Sequence, residues 1–307
     1  MNRILITGSS GLIGSALSTM LKARGAAVRG IDLAANNESR GDVCDLARVQ
    51  RAVRNCDGIV HLAAVSRVVW GELNPELCWA TNVGGLGNVL QSAAASEQRP
   101  WVIFASSREV YGQPDRLPVT EECPLRPINV YGRSKCGGET LIETARRSGS
   151  RVCTIRFSNV FGAIDDHADR VVPAFARAAV MGEALRVEGA GHTFDFTHVD
   201  DVTRGIVALV DLLQTSEKPP TPIHFVSGQP TTLGDLAQMV IEIAASASPI
   251  QPVPPRTFDV SRFYGAPSRA RAILGWSPQI PLREGLSRLI KDLRAEMGTE
   301  TTLESTQ

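Results

Sequence analysis

An α/β fold, with a doubly wound parallel sheet and a smaller C-terminal domain, is what this 307-residue sequence predicts. Three observations predict it. Strand-sized apolar runs alternate with segments of helical period through the first half of the chain. The first run passes into the first helical segment through a glycine-rich turn. Beyond about residue 165 the alternation gives way to proline-punctuated helices and short strands.

The elements follow in order. Ile4, Leu5 and Ile6 form a run bounded by glycine, as expected of a strand buried on both faces. Leu12, Ile13, Ala16, Leu17, Met20 and Leu21 then recur with helical period. Between them, in "ITGSSGLIG", Gly8, Gly11 and Gly14 allow a sharp turn and close backbone approach. The unpaired N–H groups and positive dipole end of the helix that follows suit a pyrophosphate. The next strand, "AVRGID", ends in Asp32, near the interval at which a dinucleotide fingerprint sets an acid on the adenosine ribose. A carboxylate there repels a 2′-phosphate, so NAD is expected rather than NADP, and the fold is of the Rossmann type.

"GIVHLAA" (58–64), "WVIFASS" (101–107) and "RVCTIRF" (151–157) read as further strands, with a helix carrying Val83, Leu86, Val89 and Leu90 between the first two. This order places ligands at the carboxyl ends of the strands. The expected division is an NAD-binding domain over 1–165, a mainly substrate-binding domain over 166–297 with some segments returning to the sheet, and a disordered tail, 298–307. Prolines at 249–255 mark a loop, and no internal repeat is present.

Composition excludes several classes. Hydrophobic residues make up 43% of the chain, ample for a core, and 32 basic residues against 32 acidic ones make nucleic acid an unexpected partner. No run approaches the roughly 20 apolar residues of a membrane span, and the N-terminus does not read as a leader. Cys44, Cys56, Cys78, Cys123, Cys136 and Cys153 form no C-x-x-C pair. Reduced thiols in a cytoplasmic protein are expected. Asp165, Asp166, His167 and Asp169 read as a solvated loop and no metal is expected. Asp200 and Asp201 read as the N-terminal acids of a helix over 201–213, and His61 as a packed strand residue.

The chemistry is expected in "VYGRSK" (130–135). Tyr131 and Lys135 are four apart and share a helical face, so an ammonium would stabilise the phenolate and lower a pKa otherwise near 10. Bound oxidised nicotinamide would add a second positive charge. Such a tyrosine can remove a hydroxyl proton while hydride leaves the same carbon.

Taken together, "TGSSGLIG", Asp32, "GDVCD", "HLAA", "TNVGGLGNVL", "SSREVYG", "YGRSK", "RFSNVFG", "FDFTHVDDV" and "LGWSP" resemble the extended short-chain dehydrogenase/reductases, in their nucleotide-sugar epimerase/dehydratase branch, from residue 4 to about 290. The resemblance implies that Gly8, Gly11, Leu12, Ile13 and Gly14 line the pyrophosphate and Asp32 the ribose. Asp42 and Val43 would meet the adenine edge, and Ala63 and Ala64 would flank the cofactor. It assigns a sugar hydrogen bond to Ser107, the base to Tyr131 and the nicotinamide ribose to Lys135, with Asn82 mainly structural. Asn159, Arg256 and Asp259 would hold a nucleoside-diphosphate sugar, and a homodimer through two helices of each subunit is the family's habit.

Two departures bear on the reaction. Phe194 stands where the family usually carries an arginine, so a neighbour such as Arg186 or Arg262 would have to replace a diphosphate contact. In "SSREVYG", Arg108 and Glu109 occupy the places of the acid pair of similar sugar 4,6-dehydratases, and a guanidinium cannot protonate a leaving group at neutral pH. Glu109 alone resembles the decarboxylating relatives, which carry a small hydroxyl residue at the Arg108 position. C4 epimerisation through a 4-keto intermediate, resembling that of UDP-glucose 4-epimerase, needs only Ser107, Tyr131, Lys135 and NAD. It is the expected reaction, with Glu109 ligating a sugar hydroxyl or pairing with Arg108. Dehydratase, decarboxylase and 4-ketoreductase readings stay open, as does a non-catalytic NAD-binding module.

Overall fold

The structure, a computed structural model, describes residues 2–216 and 218–304. Its strands are β1 (Arg3–Thr7), β2 (Ala27–Ile31), β3 (Gly58–His61), β4 (Trp101–Ser107), β5 (Val152–Phe157), β6 (Asn159–Phe161), β7 (Leu185–Glu188), β8 (Thr193–His198), β9 (Ile223–Phe225), β10 (Pro230–Thr232) and β11 (Ile250–Val253). Its helices are α1 (Leu12–Ala23), α2 (Leu46–Val53), α3 (Val68–Leu73), α4 (Pro75–Trp79), α5 (Gly85–Ala95), α6 (Val130–Arg147), α7 (Val171–Met181), α8 (Val199–Thr215), α9 (Leu233–Ile243), α10 (Ser268–Leu274) and α11 (Leu282–Glu304).

Six strands pair in the order β2-β1-β3-β4-β5-β9, all parallel. Successive side chains of a strand point to opposite faces, so Ile4 and Ile6 pack beneath α1 and α8 while Leu5 joins Val49, Leu86 and Ile142 on the other face. Burial on both sides explains why these strands read as continuous apolar runs. The strand order reverses between β1 and β3, which opens a crevice at their carboxyl ends. A single turn of π-helix, Ala80–Gly84, joins α4 to α5 and carries the buried Asn82.

The second lobe holds the sheets β10-β8-β6 and β11-β7 with α7, α9 and α11, around Phe161, Phe175, Phe196, Leu236 and Leu289. From β8 the chain returns through α8 to β9 in the large sheet, so these two elements belong structurally to the first lobe. Helix α11 carries a helical backbone to Glu304, into the segment 298–307 expected to be disordered, with no proline after Pro281 to stop it. Residues 305–307 lie outside the described residues. Among the described residues no helix is long and apolar enough to cross a membrane.

Candidate active site

The glycine turn is demanded by sterics at two of its three glycines. Gly8 has φ +71°, and a Cβ there would lie 2.7 Å from the backbone nitrogen of Ala63. A Cβ on Gly14 would lie 2.1 Å from the carbonyl oxygen of Gly8. At Gly11 the nearest atom would be 3.6 Å away, so the chain's own packing tolerates a side chain and the open space belongs to the cleft. Gly11 also caps α1 without a side-chain hydrogen bond, which leaves first-turn N–H groups available to an anion.

The carboxylate of Asp32 accepts from the backbone nitrogens of Ser10 and Ala34, each at 2.8 Å, tying the end of β2 to the turn. Asp42 accepts from Cys44 N at 2.8 Å, and the Val43 side chain is buried against Gly85. Ala64 lines the cleft, whereas Ala63 backs onto Gly8 and donates to Thr7 Oγ1 at 3.3 Å. Asn82 accepts from Val65 N at 2.8 Å and donates to Ser134 Oγ at 2.8 Å, bracing the loop after β3 against α6.

Ser107 ends β4 and its hydroxyl accepts from Glu109 N at 3.2 Å, which starts a 3₁₀ turn, Arg108–Tyr111. Tyr131 sits in the first turn of α6, whose start is held by Asn129 Oδ1 accepting from Gly132 N at 2.7 Å and by Glu72 accepting from Val130 N at 2.7 Å. The phenol is hydrogen-bonded to Ser107. Lys135 donates from Nζ to the carbonyl oxygen of Ala105 at 2.8 Å and lies over the rings of Phe104 and Tyr131, 5.1 and 5.7 Å from their centres.

The electrostatics differ from the expectation. Burial pushes the Tyr131 phenol up to about 12, against the lowering effect of its bond to Ser107, and the ammonium does not offset this. Burial also pushes Lys135 down to about 8. The reason is geometric: the ammonium is directed at a backbone carbonyl, over the ring face rather than at the phenolic oxygen.

Beside this pair, Arg108 Nη2 lies 2.9 Å from Glu109 Oε1, and Asn129 Nδ2 donates to Glu109 Oε2 at 2.8 Å. The guanidinium of Arg108 lies over Phe194, 4.2 Å from the ring centre. The sequence alone does not single out Asn129 as a site residue. Its signal in the sequence is a helix cap ahead of "VYG", which also turns out to hold Glu109.

The cleft has a volume of about 660 Å³ and runs from the glycine turn past Ser107 to the second lobe. At its far end Arg256 pairs with Asp259 at 2.8 Å and with Glu188 at 3.3 Å, and Asn159 and Arg186 line the wall. Arg262 bridges to Thr193 through the backbone and is not part of that wall, so Arg186 is the nearer of the two expected replacements. In the D/H-rich loop, Asp166 pairs with Arg170 and Asp169 with Arg67, so both carboxylates are engaged by arginines. His61 is buried and bonded to Thr7 Oγ1 at 2.8 Å.

Behind the site, Arg156 donates to both oxygens of Glu139 and to the hydroxyl of Tyr111, Ser106 donates to Glu139 at 2.6 Å, and Tyr111 is hydrogen-bonded to His224. Four distant segments meet in this buried network, and no local pattern announces it.

A doubly wound sheet with a glycine turn at its switch point, and a serine, tyrosine and lysine on the same cleft, defines a nicotinamide-dependent enzyme of the short-chain dehydrogenase type. The chain belongs to the NAD dependent epimerase/dehydratase family, whose profile matches residues 4–225. It is 31% identical to UDP-glucuronic acid decarboxylase 1 of Danio rerio, over 96% of this chain and 73% of that protein. It is 29% identical to UDP-glucose 4-epimerase of Mycolicibacterium smegmatis, over 95% and 98%. The crystal structure of Thermus thermophilus UDP-glucose 4-epimerase in complex with NAD superposes with a TM-score of 0.86 at 26% identity, covering 95% of this chain and 99% of that one. The cofactor of this chain is NAD, and the cleft fits it: at Gly8 and Gly14 the backbone leaves no room for a Cβ, and at Gly11 it leaves an open floor.

Proposed function

We propose that this chain is a nucleoside-diphosphate-sugar 4-epimerase working through a 4-keto intermediate. The single observation that carries the choice of reaction is the engagement of Glu109: both its oxygens are taken, by Arg108 and by Asn129. Both oxygens of that carboxylate are committed to these neighbours, and the guanidinium beside them cannot donate a proton at neutral pH. Dehydration needs an acid for the departing oxygen and a base for the adjacent carbon, and this pair supplies neither.

In this reading Gly8, Gly11, Leu12, Ile13 and Gly14 hold the pyrophosphate of NAD and Asp32 its adenosine ribose, with Asp42, Val43, Ala63 and Ala64 around the adenosine and the ring. NAD supplies a hydride acceptor that returns the hydride. Ser107 orients the sugar's C4 hydroxyl and Tyr131, whose phenolate the positive charge of bound oxidised nicotinamide would favour, takes its proton; after the keto sugar turns over and presents the opposite face of C4, Tyr131 gives the proton back to the same oxygen. Lys135 holds the nicotinamide ribose and carries positive charge at neutral pH. Asn159, Arg256 and Asp259 hold the nucleoside diphosphate. The substrates in the relatives' names, UDP-glucose and UDP-glucuronic acid, support the substrate class.

The working unit in this reading is a homodimer. Leu73 and Leu77, on the consecutive helices α3 and α4 beside α6, are 78% and 52% exposed, and Trp79 follows them. Large apolar side chains left exposed on neighbouring helices suit an interface. The six free cysteines suit a reducing, cytoplasmic setting.

The test is to incubate the purified protein with UDP-, dTDP-, GDP- and CDP-sugars and follow product mass and stereochemistry. Epimerisation leaves mass unchanged. Loss of water or carbon dioxide from the best substrate, or consumption of reduced cofactor in every turnover, overturns the assignment.

A further inference from the structure

Among the described residues of the cleft, Arg108 alone has a buried donor without a partner. Among the described residues, the buried side-chain polar atoms without a hydrogen bond belong to His61, Arg108, Arg151, Arg177, His198 and His224, and of these only Arg108 lines the cleft. Of the arginines nearby, Arg67 is matched by Asp169, Arg170 by Asp166 and Arg256 by Asp259 and Glu188.

The Arg108 guanidinium is fixed on two sides. Glu109 takes Nη2, the ring of Phe194 covers one face, and Nη1 is left without an acceptor. A desolvated guanidinium donor left unpaired is destabilising, and an oxygen arriving with the substrate removes that penalty. Phe194 performs a task here that an arginine at the same position could not. Its apolar face strips water from the guanidinium and holds it in place.

Position says which part of the substrate this is. Arg108 follows Ser107 directly, and Ser107 and Tyr131 mark the reacting end of the sugar in the function proposed above, on which this inference rests. The nucleotide end has its own cations, Arg256 and Arg186, on the wall of the second lobe. We propose that Arg108 Nη1, steadied by Phe194 and Glu109, binds a carboxylate carried by the sugar, so that the substrate is a nucleoside-diphosphate uronic acid. A neutral sugar would offer only a hydroxyl, whereas a carboxylate adds charge to the hydrogen bond at Nη1. The same contact favours keeping that carboxylate through the 4-keto stage. Loss of carbon dioxide moves the negative charge off the carboxylate and into the sugar, and an ion-paired carboxylate resists that shift.

The test uses binding, read by calorimetry on the NAD-loaded protein, with free UDP, UDP-glucose and UDP-glucuronate, and the dTDP forms if dTDP binds better. The wild type is expected to bind the glucuronate at least about tenfold more tightly than the glucose, and Arg108→Gln to erase that difference while leaving free UDP unchanged. Arg108→Lys should keep part of the preference, and a Phe194→Leu variant should lose part of it with Arg108 still present. Equal binding of both sugars by the wild type overturns the inference. Equal weakening of free UDP by Arg108→Gln also overturns it and assigns the residue to the diphosphate. Melting curves of each variant with NAD bound separate these results from misfolding. If no sugar nucleotide binds at all while NAD does, the proposed function fails before Arg108 is tested.

Discussion

The Lys135 ammonium stands 5.7 Å from the centre of the Tyr131 ring and spends its hydrogen bond on the carbonyl of Ala105. The phenol therefore answers to Ser107 and to burial, which keeps it protonated in the protein alone. Tyr131→Phe should lower turnover by roughly 10²–10⁴-fold while NAD affinity stays the same, because a general base contributes about that much and the phenol makes little of the cofactor site. Steady-state rates beside NAD titration check this. A variant retaining more than about a tenth of the wild-type rate would place the base elsewhere.

The same lysine yields a titration. Its ammonium, pushed down to about 8, should deprotonate well before an exposed lysine near 10.4. The unfolded chain holds that proton to higher pH, so the Lys135 contribution makes stability rise between about pH 8 and 10.4. Denaturant melts of wild type and Lys135→Met across that window should differ in slope, the variant lacking the rise.

Asp32 should exclude NADP. Its two oxygens already hold Ser10 N and Ala34 N, and a 2′-phosphate would meet a carboxylate that cannot swing away without releasing the glycine turn. NAD is expected to bind at least about tenfold more tightly than NADP. Comparable affinities in a direct titration of both would contradict the role given to Asp32.

The glycines should separate fold from function. Gly14→Ala, which sets a Cβ 2.1 Å from the Gly8 carbonyl oxygen, is expected to destabilise the protein by about 1–3 kcal/mol, in the range of overpacked cores. Gly11→Ala, with nothing nearer than 3.6 Å, should leave the melting temperature unchanged and still weaken NAD binding. Thermal melts with and without NAD distinguish the two.

Two buried histidines should make the protein acid-sensitive. Burial holds His61 and His224 down at about 3, against 6.5 when exposed. The unfolded chain takes up their protons below about pH 6.5 while the folded one does not, so stability is complete above that value and is lost as pH falls toward 3, at up to about 2.7 kcal/mol per pH unit for the pair. In denaturant melts between pH 7 and 4, His224→Gln should show a shallower decline than the wild type.

Much of the molecule is determined by short-range pattern. The parallel sheet follows from apolar runs that must be buried on both faces, and the glycine turn from sterics within eight residues of chain and one neighbouring strand. Asp32 and the Tyr131–Lys135 spacing are legible for the same reason, since a strand's end and a helix's turn set their positions. What only the tertiary structure decided lies between distant segments. Asn129 reaches Glu109, Arg108 lies on Phe194 from the other lobe, and Lys135 finds the Ala105 carbonyl. Expecting the lysine to lower the tyrosine's pKa was reasonable from four-residue spacing. It failed because spacing gives proximity along a helix, whereas the direction of an ammonium and the loss of water around a phenol depend on the strand packed against that helix.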